Sequence, residues 1–199
     1  MVFLDFAVVG VLVGLLLRGR PGALADLRVR RSALVFGALM LQVAAFPSGV
    51  LPWSTSEGVA RTLWVFSYVL LISFVLSNRR IRGLALVTGG LLCNLVAVVA
   101  NRGLMPVSPV ALRDAGLAYH LNNNSISAAN PRLGWLTDRW AAPDWLPFAN
   151  VFSIGDVLIA AGTIAVIVLA MRSPRQAVDG HQRPLGRRAS ADKRHELVS

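Results

Sequence analysis

Five long apolar stretches, separated by short arginine-rich segments, dominate the pattern of the sequence. They occupy residues 2–17, 32–50, 62–77, 83–101 and 154–171. A helix rises about 1.5 Å per residue, so about 20 residues cross the hydrocarbon core of a bilayer. Because backbone groups in lipid must be hydrogen-bonded within the protein, each stretch is predicted to be helical. The pattern therefore predicts an all-α integral membrane domain over residues 1–171, with five transmembrane helices.

The composition narrows the class of protein further. Hydrophobic residues make up 55% of the chain and charged residues only 15%, whereas soluble domains average about 25% charge. The charges are also confined to the segments between the apolar stretches. These features exclude a disordered chain, a disulfide scaffold and a typical soluble enzyme.

The basic residues predict the orientation of the chain in the membrane. Segments 18–31, 79–82 and 172–199 carry five, three and seven of them, against five in the rest of the chain. Because basic segments stay in the cytoplasm, the N-terminus is predicted outside and the C-terminus inside. The net charge of +10 then reflects topology, and nucleic acid is not an expected partner. Residues 172–199 have too few apolar residues to form a core, so they are predicted to be a disordered basic tail attracted to anionic lipids.

The outer segment 102–149 is predicted to be an ordered loop between the fourth and fifth spans. Loops this long are usually functional or disordered. Ser108-Pro109 is typical of a helix start, which predicts a short helix over 109–115 that ends at Gly116. All five tryptophans fall on the predicted outer side, where indole rings prefer the headgroup level: Trp53, Trp64, Trp135, Trp140 and Trp145.

Two motifs flank this loop. One is Asn101-Arg102-Gly103-Leu104-Met105-Pro106-Val107 and the other is Asn150-Val151-Phe152-Ser153-Ile154-Gly155-Asp156. With Leu133-Gly134-Trp135-Leu136-Thr137-Asp138, they resemble a family of small bacterial multi-helix membrane proteins catalogued only as a domain of unknown function. That family often has a second glycine where this chain has Arg102. The resemblance implies a bacterial inner-membrane location and about five spans, and it implies no activity.

Asp156 is the first candidate site residue, since an acid near a membrane span is costly and often functional. Ser153 and Asp156 also have the spacing of a capping box, which would make the acid a helix cap. Asn150, in the same motif, is a further candidate. Ser54 and Glu57 predict a second capping box ahead of the third span.

Asp5 and two arginines at the predicted outer boundary extend the candidate set. Either acid, Asp5 or Asp156, is predicted to pair with Arg61 or Arg102, because pairing lowers the cost of burying a charge. Alternatively, Asp5 caps the first helix. Ser153-Ile154-Gly155-Asp156 also resembles the Gly-Asp element of intramembrane aspartyl proteases, in which two aspartates share a proton. That alternative would use Asp5 and Asp156.

The fourth span carries small and amide residues on one helical face: Gly90, Asn94, Ala97 and Asn101. Small residues allow helices to approach, and amides hydrogen-bond between them. The face therefore predicts either helix packing or a cavity floored by Asn94 and Asn101. Gly10 and Gly14 have the spacing of a helix-packing motif, which is predicted to act within the chain.

The sequence offers little catalytic chemistry. Cys93 and His120 lack ligand-spaced partners, so no metal and no cofactor are predicted. The common hydrolase, nucleotide and metalloprotease motifs are absent. We therefore expect a non-enzymatic membrane protein whose outer polar cluster binds a small ligand, a lipid or a membrane protein partner. A transporter or channel subunit and the aspartyl-dyad enzyme remain as alternatives.

Overall fold

The computed structural model describes residues 2–47, 54–117, 124–142 and 151–173, and side chains are described from residue 6. Within these residues the chain is mostly helical, with six α-helices: α1 (Val2–Leu16), α2 (Ala33–Ala45), α3 (Glu57–Ser77), α4 (Leu84–Ala100), α5 (Pro109–Asp114) and α6 (Ile154–Met171). Two short 3₁₀ turns lie at Pro21–Leu24 and Gly134–Leu136. The predictions for Asn150, Trp53, Trp145, the side chain of Asp5 and most of the tail fall outside the described residues.

The five longer helices pack side by side in the order α2, α3, α4, α6 and α1. Successive helices run in opposite directions, which leaves two distinct ends. The basic end carries the connections 18–31 and 78–83. The capped end carries residues 101–153, which contact α4 and α6. We use these two names below.

Small residues set the helix spacing. Gly10 on α1 lies against Ile167 of α6, and Gly14 lies against Met171, which confirms that this glycine motif packs within the chain. On α4, Gly90 lies directly against the α6 backbone at Gly155. The predicted packing role of the small-residue face of α4 is therefore confirmed.

Short strands and α5 build the capped end. Strand β1 (Met105–Val107) pairs in parallel with β2 (Ser125–Ser127), and β3 (Trp140–Ala141) pairs antiparallel with β4 (Val151–Phe152). A further bridge joins Val107 to Asp138. The side chain of Ser108 accepts a 3.5 Å hydrogen bond from the Ala111 amide and begins α5. Gly116 has a φ of +68° just after this helix, which confirms the predicted start and end.

Two helices, α3 and α6, are long and apolar enough to cross a membrane. The stretches at Phe6–Leu16, Ala33–Ala45 and Leu84–Ala100 are shorter apolar helices. The second predicted stretch ends early, at Ala45, because Pro47 disfavours helical backbone in the residue before it. The third begins at Glu57 rather than at residue 62, because a charged residue in the first turn does not interrupt a helix.

The predicted capping box at Ser54 and Glu57 is wrong. Helix α3 begins after Ser56, whose side chain makes no capping hydrogen bond. Glu57 instead lies one turn before Arg61 and binds it across 2.8 Å. The local pair at i and i+4 therefore takes the carboxylate that the capping box would have used.

Candidate functional site

The first turn of α6 carries the capping box that the sequence predicts. The hydroxyl of Ser153 accepts a 3.1 Å hydrogen bond from the Asp156 amide. In return, the Ser153 amide donates a 2.9 Å hydrogen bond to Oδ2 of Asp156. Both halves are present, so the capping role of these two residues is confirmed.

Asn94 extends this cap across the helix interface. Its side-chain amide donates a 2.8 Å hydrogen bond to Oδ1 of Asp156, and its own oxygen lies 2.9 Å from the Ser153 hydroxyl. That hydroxyl is also 2.9 Å from Oδ2 of Asp156. Since a hydroxyl carries one proton, it donates to only one of the two acceptors at a time. Asn94 and Ser153 are buried, at 5% and 0% exposure.

Gly155 explains why the motif has glycine between the cap residues. A Cβ at this position would collide with the side-chain amide of Asn94 and with the backbone oxygen of Gly90. The sequence Ser153-Ile154-Gly155-Asp156 therefore combines a capping hydroxyl, the space for Asn94 and the carboxylate that receives it.

A second acid, Asp138, lies close to this network. Its amide donates to the Pro106 carbonyl at 3.0 Å, and its carbonyl accepts from the Ser108 amide at 2.8 Å. Its side-chain Oδ1 is buried and has no hydrogen-bond partner among the described residues. Burial, and then the negative charge of Asp156, raise the pKa of the Asp138 carboxyl to about 8. At neutral pH this carboxyl is therefore mostly protonated.

Helix α3 supplies two aromatic residues with polar groups. Tyr68 is 8% exposed and lies within electrostatic reach of both Asp156 and Asp138. The ring of Trp64 packs edge-to-face on Tyr68, with centroids 5.3 Å apart. The indole N–H of Trp64 is buried, and no described residue accepts its hydrogen bond. We call Asp138, Asp156, Asn94, Ser153 and Tyr68 the polar cluster, with Trp64 at its edge.

Sequence reasoning missed Asp138 and Tyr68 as site residues. Asp138 closes one of the motifs that carried the family resemblance, and this was a usable signal. Tyr68 follows Trp64 by one helical turn within an apolar helix, so its hydroxyl needs a buried partner or an opening. Neither signal says which distant acid lies beside it.

The predicted ion pairs of Asp156 do not form. Arg61 pairs with Glu57, the only ion pair that the described part of the chain contains. Arg102 is exposed, with a φ of +61°. Because three donors already surround the Asp156 carboxylate, it has little need of an arginine. The predicted pairings of Asp5 concern a side chain outside the described residues and stay predictions.

Asn101 does not join Asn94 in a common cavity. Its side chain accepts from the Arg132 amide and donates to the Arg132 carbonyl, each across 2.9 Å. It therefore anchors the capped end to α4. Asn94 is buried against α6, so these two amides serve separate contacts.

Two cavities lie elsewhere. One of about 300 Å³ opens within the capped end and is lined by Ser108, Ala128, Ala129, Asn130, Pro131, Gly134, Thr137 and Arg139. The other, of about 410 Å³, lies between the end of α2 and the start of α3, next to Glu57 and Arg61. The described residues hold no group of three or more potential metal-binding side chains. The polar cluster is thus suited to binding a proton or a small polar molecule.

The family comparison agrees with the motifs on either side of the capped end. No curated protein and no solved structure matches this sequence. The model of one family, described as a family of unknown function, matches residues 26–168. The match spans α2 to α6 and includes every member of the polar cluster. The chain belongs to this family, DUF5317.

Proposed function

We propose that this chain is a non-enzymatic, five-span protein of the bacterial inner membrane that binds a small polar ligand at its capped end. The observation that carries the binding role is the pair of buried polar atoms without partners, Oδ1 of Asp138 and Nε1 of Trp64. Both residues adjoin Tyr68. One is a hydrogen-bond donor and the other a carboxyl oxygen.

Buried polar groups normally find a hydrogen-bond partner, and an unsatisfied one destabilises the fold by about 1–3 kcal/mol. A bound molecule with its own donor and acceptor would remove this penalty at both atoms. The ligand chemistry that fits is small and polar, because the surroundings are two aromatic rings and a mostly protonated acid. A lipid headgroup or a polar group of a partner protein would meet the same requirement.

The outer surfaces of the helices support five membrane spans. Exposed large apolar side chains occur on each of the five longer helices, among them Val8, Leu12, Phe36, Met40, Phe66, Val69, Leu92, Val96, Val157 and Leu169. Contiguous apolar surface of this kind is rare on soluble monomers. The 13 residues of α2 extend only about 20 Å, and local thinning of the bilayer accommodates such a short helix.

The charge distribution supports an orientation with the basic end in the cytoplasm. Arginines lie next to the ends of all five longer helices there: Arg18, Arg31, Arg79, Arg82 and Arg172. Basic residues flanking membrane helices remain on the cytoplasmic side. The polar cluster then faces the outside of the cell.

Local hydrogen bonding disfavours the transporter alternative. Towards the basic end, the hydroxyls of Ser73, Thr88 and Thr163 each donate to a carbonyl one turn earlier in their own helix. Side chains bonded in this way offer no relay between helices. The aspartyl-enzyme alternative still depends on Asp5, while Asp138 is the acid that acts on Asp156.

Cysteine labelling tests the topology. In a Cys93→Ala background, Ala129→Cys and Ala25→Cys place single thiols at exposed positions of the capped end and the basic end. A membrane-impermeant maleimide on spheroplasts should label Ala129→Cys at once and Ala25→Cys only after permeabilisation. Labelling of Ala25→Cys without permeabilisation would overturn the orientation.

Native mass spectrometry of the protein released from lipid nanodiscs tests binding. The proposal expects an additional bound mass on the wild-type protein. Trp64→Phe removes the unpartnered indole N–H and should lower the occupancy of that mass. Trp135→Phe, at a tryptophan that is 59% exposed, is the matched control and should retain it. A wild-type protein without bound mass, or equal occupancy in both variants, would refute the binding role.

A further inference from the structure

Asp138 is fixed at the junction between the capped end and the helices. Its two backbone hydrogen bonds, to Pro106 and from Ser108, extend the small sheet begun by β1. Strand β1 itself packs on α4. The carboxyl therefore cannot leave its buried position unless these backbone bonds break.

The opposing acid is fixed just as firmly. Asp156 is held by the cap at Ser153 and by the amide of Asn94 on the neighbouring helix. Two acids that cannot move apart in a poorly solvated site do not both ionise readily, because each charge opposes the other. One proton then stabilises the arrangement.

Tyr68 gives independent evidence that this site takes a further partner. The residue is nine-tenths buried, at 8% exposure, and its hydroxyl lies within reach of both acids. No described residue makes a hydrogen bond to that hydroxyl. The partnerless Oδ1 of Asp138 faces the same surroundings.

We propose that Asp138 and Asp156 form a site for a single proton, and that loss of this proton loosens the capped end from α4 and α6. The inference rests on the proposed function for the role of the polar cluster, and it adds control of that cluster by pH. When the proton leaves, two fixed carboxylates face each other. The bridge between Val107 and Asp138 is the contact that yields, because Asp156 is held within the helix pair.

No nearby cation offsets this repulsion among the described residues. Asp156 on α6 is the charged group that acts on Asp138, and Tyr68 on α3 is the other titratable group that faces the pair. β1 and the turn Gly134–Leu136 carry no titratable side chain, and α4 contributes the neutral amide of Asn94. Arg139, the next residue in the chain, is exposed and lies over the ring of Trp140, 5.9 Å from its centroid.

The direction of the pH dependence follows from the raised pKa of Asp138. Folding moves this pKa from 3.8 to about 8, so the folded form holds the proton more tightly than the unfolded form. The stability of the capped end is then complete below about pH 4, declines as the pH rises to about 8, and stays low above it.

Hydrogen–deuterium exchange of the full chain in nanodiscs, corrected for intrinsic exchange rates, tests the proposal. Protection of the Ser108 and Asp138 amides should fall as the pH rises from about 5 to 8, by up to tenfold per pH unit, and then level off. Asp138→Asn should keep protection high and constant. Asp156→Asn should move the decline to higher pH or abolish it, because one of the two charges is gone.

The matched control is Asp114→Asn, at an exposed acid of α5 in the same end of the molecule, and it should reproduce the wild-type profile. Constant protection in the wild type across this pH range, or a wild-type decline in Asp138→Asn, would overturn the proposal. Infrared spectroscopy of the wild type needs no variant. It should show a protonated carboxyl at about pH 6 that is lost by about pH 9, and its absence at the lower pH would also overturn the proposal. These measurements do not depend on a bound mass, so this inference and the binding role fail separately.

Discussion

Asn78 and Asn101 make the same three hydrogen bonds at opposite ends of the helices. Each follows the last residue of its helix, α3 or α4, and donates to the carbonyl four residues earlier at 2.8 Å. Each also brackets a distant arginine residue by its backbone, accepting from the amide and donating to the carbonyl. Asn78 holds Arg30 in this way across 2.8 Å on both sides, and Asn101 holds Arg132 across 2.9 Å. The two asparagines thus anchor the connecting segments at both ends.

Replacing these asparagines should have unequal effects, because their burial differs. Asn78 is 4% exposed, so Asn78→Ala leaves buried backbone groups of Arg30 unpaired and should lower stability by about 2–3 kcal/mol. Asn101 is half-buried, and water can replace its bonds to Arg132, so Asn101→Ala should lower stability by about 1 kcal/mol. Thermal unfolding in detergent measures both. An equal or larger loss for Asn101→Ala would contradict the assigned roles.

Adjacent glycines on α4 provide a matched test of helix spacing. A Cβ on Gly90 would lie 2.6 Å from Cγ1 of Ile159 and against the α6 backbone, whereas a Cβ on Gly89 would meet nothing closer than 4.0 Å. Gly90→Ala should therefore force α4 and α6 apart and lower stability by about 1–3 kcal/mol. Gly89→Ala should be neutral or stabilise the helix by up to about 1 kcal/mol. Similar melting temperatures for the two variants would show that α6 does not approach α4 at Gly90.

Local patterns in the sequence predict local structure well. Ser153 and Asp156 lie within one turn, so their capping box could be predicted from spacing alone, and the same holds for Ser108 and the start of α5. The second helix was predicted too long because a hydropathy pattern passes over Pro47, although proline limits the backbone before it.

Contacts between distant segments could not be predicted in the same way. Asp138 and Asp156 come together only through the bridge between Asp138 and Val107 and the packing of α4 on α6. Likewise, Asn101 was placed with Asn94 because both share one helical face, but it lies at the helix end, where a free peptide from the loop reaches it first. Helical periodicity identifies the face of a residue and does not identify its partner.

The two serine caps should differ in their contribution to stability. Ser153 is fully buried and accepts the Asp156 amide at 3.1 Å, while the hydrogen bond from the Ala111 amide to Ser108 is 3.5 Å long. Ser153→Ala also removes the donor to Asn94 or Asp156, so it should lower stability by about 2 kcal/mol. Ser108→Ala should lower it by about 0.5 kcal/mol, at the weak end of cap contributions. Equal shifts in the unfolding midpoint would argue against the extended network around Ser153.

The hydrogen bond between Asn94 and Asp156 can be tested by exchanging its partners. Asn94→Asp alone replaces a donor with a second carboxylate beside Asp156 and should lower stability by about 3 kcal/mol or more. Asp156→Asn alone keeps an acceptor for the Ser153 amide and should lower it by about 1 kcal/mol. In the double variant, the new amide on α6 can donate to the new carboxylate on α4 while its oxygen still caps the helix, so stability should recover by at least about 1 kcal/mol over the sum of the single changes. Chemical unfolding of the four proteins gives this coupling energy directly, and a value near zero would mean that the two side chains act independently.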